Sequence, residues 1–301
     1  MTPKTRLHPW FSLLRLPNLL TVPGDPLAGY ILAGGSLSGF HDLSLLFLGC
    51  LSALFLYCFG LIQNDLTDMD LDRRERPSRP IVSGAISVPA AFAAMAAAGL
   101  AGTWIALSAG RAVFAAAFVL FVLINAYNLW AKALPIRGPA FMGACRAASL
   151  FLGAALAPQP ASLVSLLGAV TLFSYITAVS VLSRQETRSH ADLSARFYPV
   201  LALGLGLLAV YVFQDSTGAG RIAFLVFGAA ALANATQTTL SIGPGTGPAE
   251  IQRSIGKFLR GLLLMQAAFA SSGGGWGILL GAILAAAVFP ASRLAQRFAP
   301  S

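Results

Sequence analysis

Charged side chains are scarce in this sequence. Asp, Glu, Lys and Arg make up 10% of the 301 residues, against about 25% in a typical soluble domain. Hydrophobic residues make up 56%, and a soluble globule of this length needs more polar surface than the remainder can supply. The composition therefore excludes a soluble enzyme, a disordered scaffold and a disulfide-rich secreted module, and it indicates a polytopic helical membrane protein.

Cysteine is also rare, and we expect no cleavable leader. Cys50, Cys58 and Cys145 lie in or near apolar runs without metal-ligand spacing, so we expect reduced packing residues. The first apolar stretch is interrupted by Pro23 and Pro26 and has no clear small-residue cleavage site. We therefore expect this stretch to remain as the first span.

What the sequence does contain is a series of apolar runs long enough, at about 17 to 25 residues, to cross a bilayer. Helices are expected because lipid cannot pair with backbone polar groups, and the alternating pattern of a membrane barrel is missing from the sequence. We predict an all-α bundle of nine to ten transmembrane helices in one integral-membrane domain over residues 1–301. The predicted spans are 17–34, 43–63, 86–109, 112–130, 139–157, 162–182, 197–213, 221–240, 256–272 and 275–292.

The net charge of +9 fits a topology signal better than a nucleic-acid site. If the N-terminus is cytosolic and ten spans alternate, all but two of the 20 Lys and Arg residues fall on the cytosolic side, the exceptions being Arg111 and Arg221. This is the positive-inside pattern of an inner-membrane or plasma-membrane protein. No basic module of the kind that binds nucleic acid is visible, so we expect none as a partner.

The acidic residues are concentrated at one place. Five of the 11 lie within 65–75, at the end of the predicted second span. At about 100° per residue, Asp65, Asp68 and Asp72 lie within about 60° of one another on a helix, whereas Asp70 points nearly opposite. Three carboxylates on one face repel one another unless a cation is present. Because Mg²⁺ joins carboxylates to substrate phosphates, the spacing predicts a Mg²⁺–diphosphate site at the membrane surface.

Basic residues follow the acidic cluster, and Asn64 flanks its face. Arg76 and Arg79 are the candidates to meet phosphate oxygens, because Pro77 and Pro80 restrict the local backbone. The alternative is that these arginines serve only the positive-inside pattern, which explains part of the cluster in either case.

Together, the acidic cluster and the basic tail form a recognisable pattern. It reads Asn64-Asp65-x-x-Asp68-x-x-x-Asp72 and then Arg76-Pro77-x-Arg79-Pro80-Ile81-x-Ser83-Gly84. This pattern resembles the UbiA family of membrane prenyltransferases. Two further places support the resemblance over nearly the whole chain. They are Leu14-Arg15-Leu16-Pro17-Asn18 before the first span, and Tyr127-Asn128-x-x-x-Lys132 with Gly143-x-x-Arg146 in the predicted fourth and fifth helices.

UbiA proteins transfer a prenyl chain from a prenyl diphosphate to an acceptor that is often aromatic. The resemblance therefore implies a UbiA-like bundle, Mg²⁺ as cofactor, and a prenyl diphosphate and a lipophilic, aromatic acceptor as partners at the cytosolic face. The implied metal ligands are Asp65, Asp68, Asp72 and Glu186, and the implied catalytic residues are the same three aspartates and Lys132. The implied diphosphate-binding residues are Asn64, Arg76, Arg79, Arg146 and Arg184, and the implied acceptor-binding residues are Asn18, Tyr127, Asn128 and His190.

The segment after the predicted sixth span departs from the family pattern. The family has a second motif, Asp-x-x-x-Asp, at this place, whereas here Glu186 and His190 have the i, i+4 spacing. A neutral histidine is a poor Mg²⁺ ligand compared with a carboxylate. The sequence therefore resembles a divergent branch of the family, with three carboxylates on one wall of the site and one on the other.

Other interpretations of the same residues stay open. Ten spans with a broken first helix also suit a transporter, and the altered second motif suits a member that binds lipid without turnover. Transfer to a non-aromatic polar acceptor is a further alternative. Isolated Asn and Tyr residues in spans commonly serve helix–helix hydrogen bonding, and Lys132 and Arg146 lie near helix ends, where snorkelling competes with catalysis.

The aspartate assignment is tested with Asp65→Ala and Asp68→Ala in membranes supplied with labelled prenyl diphosphate. We expect each variant to lose transfer activity, because each removes a carboxylate that would hold Mg²⁺. Full activity in both variants would contradict the assignment.

Overall fold

The computed structural model describes residues 8–184 and 193–298, and this part of the chain contains helices and no strand. Two short 3-10 helices, Ala131–Ala133 and Leu193–Phe197, join longer elements. The α-helices, numbered in chain order, are α1 His8–Leu13, α2 Leu16–Leu19, α3 Gly24–Leu32, α4 Phe40–Thr67, α5 Met69–Glu75, α6 Val88–Ala109, α7 Arg111–Leu129, α8 Arg137–Ala154, α9 Leu163–Ser183, α10 Tyr198–Phe213, α11 Gly218–Leu240, α12 Pro248–Ser271, α13 Gly275–Ala286 and α14 Val288–Phe298.

Seven helical segments in the described ranges are long and apolar enough to cross a membrane. They are Phe40–Thr67, Val88–Ala109, Arg111–Leu129, Leu163–Ser183, Ser194–Phe213, Gly218–Leu240 and Gly275–Gln296. Large apolar side chains lie on the outside of the bundle, such as Trp104 and Leu100, each 72% exposed. An exterior of this kind suits lipid as solvent and confirms the predicted integral, multi-pass membrane protein.

The other three predicted spans correspond to α2–α3, α8 and α12, which do not meet the same length and hydropathy criterion. The first of them is broken, as its prolines indicated: α2 ends at Leu19, and α3 begins at Gly24. The bundle still encloses these elements, since Asp25 of α3 and Gln266 of α12 are fully buried. Broken backbone at membrane depth is tolerated where protein surrounds it.

Glycines let α3 and α8 meet backbone to backbone. A Cβ atom at Gly29 would lie 2.0 Å from the Leu150 carbonyl oxygen, and one at Gly153 would lie 1.8 Å from that of Pro26. Both contacts exclude any larger residue without a backbone shift. Small residues permit such close packing between membrane helices.

A chain of amide hydrogen bonds ties α4 to α7. The side-chain nitrogen Nδ2 of Asn128 donates to the Gly60 carbonyl at 3.0 Å and to Gln63 Oε1 at 2.9 Å. Gln63 Nε2 in turn donates to Asn125 Oδ1 at 2.8 Å. Asn128, predicted to bind the acceptor, is thus engaged in a helix–helix contact, which is the alternative that the sequence left open. These hydrogen bonds fix the end of α4 that carries Asp65.

We expect Asn128→Leu to destabilise the protein by roughly 1–2 kcal/mol, because it removes the donor that Asn128 supplies to the buried Gln63 Oε1 and to the Gly60 carbonyl. Thermal unfolding in detergent measures the effect. Thr103→Val is the matched control, because the Thr103 hydroxyl bonds only to carbonyls of its own helix. Equal transition temperatures for the two variants would contradict a stabilising role of the hydrogen bonds between α4 and α7.

Candidate active site

The acidic cluster lies where α4 gives way to α5. The helix ends at Thr67, and Asp68 departs from helical geometry with φ −97° and ψ 6°. The backbone hydrogen bonds nevertheless continue across the break, from Asp68 N to Asn64 O at 3.0 Å and from Asp72 N to Asp68 O at 2.8 Å. The predicted face with Asp65, Asp68 and Asp72 is therefore retained in part, because the helix axis changes direction at Asp68.

Arg79 connects the two outer carboxylates of the cluster. Its Nη1 donates to Asp65 Oδ1 at 2.9 Å and to Asp72 Oδ2 at 2.8 Å. The Asp65 and Asp72 side chains are only 7% and 3% exposed, so both hydrogen bonds are shielded from water and charge-assisted. The predicted association of Arg79 with this cluster is present in the structure.

Lys132 holds the third carboxylate. It lies in the 3-10 helix after α7, and its Nζ is 2.6 Å from Asp68 Oδ1 and donates to Thr67 Oγ1 at 2.6 Å. Arg184, directly after α9, donates to the Lys132 carbonyl oxygen. The ends of α4, α7 and α9 thereby meet at one end of the bundle, with predicted residues from each.

The three aspartates do not converge on one point in this structure, and their joint role as metal ligands stays a prediction. Asp68 turns toward Lys132 because the helix breaks there, whereas Asp65 and Asp72 share Arg79. No group of three His, Cys, Asp or Glu side chains in residues 8–184 and 193–298 is close enough to hold a metal ion.

The residue types nevertheless fit Mg²⁺. One cationic nitrogen, Nη1 of Arg79, already lies within 3 Å of oxygens from Asp65 and Asp72. Mg²⁺ commonly takes one or two carboxylates and completes its shell with water and phosphate oxygens. Mg²⁺ therefore suits this place, because two negatively charged carboxylates offer oxygen ligands there and already hold a cationic group between them.

Arg15 belongs to the site, although it was not singled out from the sequence. It is the one non-glycine residue with positive φ in the described ranges, at φ 48° and ψ 55° between α1 and α2. Its Nη2 lies 3.6 Å from Asp65 Oδ1. A strained backbone is retained where the surroundings fix it. The signal was present in the Leu14–Asn18 segment that carried the resemblance.

The predicted acceptor residues are only partly brought together. The Asn18 side chain is within hydrogen-bonding reach of Tyr57, a half-buried α4 residue that the sequence did not indicate. Tyr127 is half-buried on α7 and lies in the field of Arg15, Arg184 and Asp68. Glu186 and His190 lie outside the described residues, so their assignments stay predictions.

Two of the predicted diphosphate-binding arginines, Arg76 and Arg146, have no ion pair with the aspartate cluster among the described residues, and their roles stay predictions. Arg76 is exposed after the end of α5, because the turn that directs Arg79 inward leaves it on the surface. Arg146 is buried within α8, where its Nε is 3.0 Å from Asp25 Oδ2. An interior counter-ion, rather than the membrane surface, determines its position. Asn64 is half-buried and within hydrogen-bonding reach of Asp65.

Sequence comparison agrees with this geometry. A profile of the UbiA prenyltransferase family matches residues 26–260, from α3 into α12. The chain belongs to the UbiA prenyltransferase family. As a member, it is a membrane-embedded transferase of prenyl groups, and the predicted family and enzyme class are confirmed.

Relatives and solved structures extend the comparison. Digeranylgeranylglyceryl phosphate synthase of Methanoculleus marisnigri is 30% identical over 221 residues, which are 72% of this chain and 77% of that protein. A UbiA homolog from Aeropyrum pernix has a TM-score of 0.64 at 18% identity, covering 83% of this chain and 96% of that chain. A UbiA homolog from Archaeoglobus fulgidus bound to DMAPP and Mg²⁺ has a TM-score of 0.60 at 17% identity, covering 94% and 98%. The structural likeness confirms the predicted UbiA-like helical bundle.

The Arg79 contacts predict a metal-dependent stability. In Arg79→Gln, Asp65 and Asp72 lose their shared cation and repel each other. We expect a lower thermal transition in chelator, and a larger rise on adding Mg²⁺ than the wild-type protein shows, because the ion then supplies the missing charge.

Arg74→Gln is the matched control, since Arg74 is an exposed arginine of α5. It should respond to Mg²⁺ as the wild-type protein does. If Mg²⁺ shifts Arg79→Gln and Arg74→Gln equally, the carboxylate pair does not bind the ion.

Proposed function

We propose that this protein transfers a prenyl group from a prenyl diphosphate to a lipophilic acceptor, with Mg²⁺-assisted loss of diphosphate, at the cytosolic face of the membrane. The observation that carries the proposal is the placement of Arg79 between Asp65 and Asp72, beside the Lys132–Asp68 pair. Carboxylates for a metal and cations for a diphosphate thereby lie within one site.

The aspartates are the proposed metal ligands. Asp65, Asp72 and Asp68 would hold Mg²⁺ through their carboxylates. Glu186, which lies outside the described residues, would add a further carboxylate. When bound, Mg²⁺ supplies Lewis-acid polarisation and offsets the charge of the diphosphate.

The cations are the proposed diphosphate ligands. Arg79, Arg15 and Lys132 each contact a carboxylate in the structure. With Mg²⁺ held by these carboxylates, the three side chains would be available to donate to the diphosphate oxygens and to stabilise the leaving group. Arg184 supports Lys132 through its backbone carbonyl. Among UbiA homologs, the Archaeoglobus fulgidus protein bound to DMAPP and Mg²⁺ supports this pairing of substrate and ion.

The acceptor is proposed to carry a glyceryl phosphate headgroup. The sequence favoured an aromatic acceptor, with a non-aromatic polar one as the alternative. The curated relatives at 29–30% identity are digeranylgeranylglyceryl phosphate synthases, and that name describes a glyceryl phosphate product. A surface rich in Arg and Lys also suits an anionic headgroup. The polar alternative is therefore preferred.

The orientation of the chain in the membrane is part of the proposal. Arg73, Arg74 and Arg76 are exposed at the end of the bundle that carries the aspartates. Positive charge at this end supports the proposal that this end and the N-terminus face the cytosol.

The test is a transfer assay on the purified protein, with labelled prenyl diphosphate and either a prenylglyceryl phosphate or a hydroxybenzoate. We expect Mg²⁺-dependent transfer to the prenylglyceryl phosphate with release of inorganic diphosphate, because that headgroup matches the cations of the site. Chelator should abolish both signals.

Three results would overturn parts of the proposal. Preferential transfer to the hydroxybenzoate would restore the aromatic acceptor. Binding of the labelled substrate without diphosphate release would indicate a lipid-binding protein without turnover. Movement of unreacted substrate across a vesicle membrane would indicate a transporter.

A further inference from the structure

A buried ion pair lies in the interior of the bundle and shares no contact with the three aspartates in the described residues. Asp25 of α3 is fully buried, and its Oδ2 and Oδ1 lie 3.0 Å from Nε and 3.1 Å from Nη2 of Arg146. Ionisable residues inside a membrane are rare and call for a role. Stability alone does not supply one, because well-packed apolar residues commonly serve at least as well as a buried pair.

The pair is located at the break in the first span. Between α2 and α3 the α-helical hydrogen bonds give way to shorter i→i−3 bonds, such as Val22 N to Leu19 O and Asp25 N to Val22 O. The Thr21 carbonyl accepts from side chains here. Its oxygen accepts from Arg146 Nη2 at 3.1 Å and from Gln266 Nε2 at 2.8 Å. Gln266 also donates to Asp25 Oδ1 at 2.6 Å. We name Asp25, Arg146, Gln266 and Thr21 the core clamp.

The core clamp joins three elements that are distant in sequence. Arg146 comes from α8, Gln266 comes from α12, and both converge on the break before α3. The fit around Gln266 is close, since a Cβ atom at Gly24 would lie 2.1 Å from Gln266 Oε1. The break is therefore held from two sides, with little room to shift.

The segment directly before the clamp carries site residues. Thr21 N and Thr21 Oγ1 both donate to the Asn18 carbonyl, at 3.0 and 2.8 Å. Asn18 N in turn donates to the carbonyl of Arg15 at 2.8 Å. Hydrogen bonds thus lead from Asp25, through Gln266 and Thr21 and the short helix α2, to the backbone carbonyl of Arg15. The guanidinium of the same residue lies 3.6 Å from Asp65 Oδ1.

We propose that Asp25 is a positioning residue, which holds the α2–α3 break through Arg146 and Gln266 so that Arg15 and Asn18 face Asp65. The inference rests on the proposed function, since Arg15 is a diphosphate ligand there. It assigns Arg146 a role in the interior rather than direct contact with the diphosphate.

A double-mutant cycle in the transfer assay tests this role, with kcat and KM for prenyl diphosphate as the readout. Asp25→Asn keeps the shape of the side chain and removes its charge. A small displacement of a binding group costs on the order of 100-fold in kcat/KM, and we expect a loss of this size. Arg15→Gln should also lower kcat/KM, and the double variant should lie close to Asp25→Asn, because both changes remove the same placement of Arg15.

Independent effects multiply to within about twofold, so a double variant at the product of the two single losses would overturn the positioning role. Gln266→Met is a second variant in case Asp25→Asn folds poorly, since it keeps the ion pair and removes the amide donor. It should lose less activity and show the same lack of additivity with Arg15→Gln. Asp42→Asn, at the opposite end of α4, is the control and should retain activity.

A distance measurement keeps the test independent of turnover. Spin labels at Leu16→Cys and Leu71→Cys, in a chain with its three cysteines replaced, report the placement of α2 relative to α5. We expect Asp25→Asn to broaden this distance distribution, and an unchanged narrow distribution would overturn the inference. Wild-type protein without diphosphate release would instead overturn the proposed function, so the two failures are distinguishable.

Discussion

Arg79 and its two carboxylates are the interaction on which the rest of the site depends. Asp65 and Asp72 are nearly fully buried, and two such charges cannot lie on one face without a cation between them. Arg79 supplies that cation from the turn after α5, and this contact orders the segment between α4 and α6. In the proposed function a divalent ion and a diphosphate exchange with this internal counter-ion, so that resting stability and catalysis would use the same carboxylates.

Contacts elsewhere in the bundle determine the position of the helices that carry the site residues. The Asn128–Gln63 contact fixes the last turns of α4 against α7, and the 3-10 helix after α7 then brings Lys132 to Asp68. On the other side, Asp25 fixes the broken first span, whose leading end carries Arg15. Polar residues in the interior of the bundle thus position the charged residues of the site. This role explains why polar residues are present in an interior where unpaired polar groups are costly.

The sequence predicted the broad architecture because composition and apolar run length depend little on tertiary contacts. Seven of the ten predicted spans match helices long and apolar enough to cross a membrane in the described residues. These spans, the broken first helix, and the association of Arg79 and Lys132 with the aspartates follow from local pattern and resemblance. Three-dimensional partners were not predictable in this way. The position of Arg146 depends on Asp25, and that of Asn128 depends on Gln63; both partners are distant in sequence. Asp68 is separated from Asp65 and Asp72 because α4 ends at Thr67, and the assumption of a regular 100° rotation per residue does not include such a helix end.

The most direct test of the account is a structure of the protein with Mg²⁺ and an unreactive prenyl diphosphate analogue. The account predicts metal density between Asp65 and Asp72, with Arg79 displaced from both carboxylates and donating to a diphosphate oxygen. A ligand-bound structure in which Arg79 still contacts both carboxylates, with the diphosphate bound elsewhere, would contradict it.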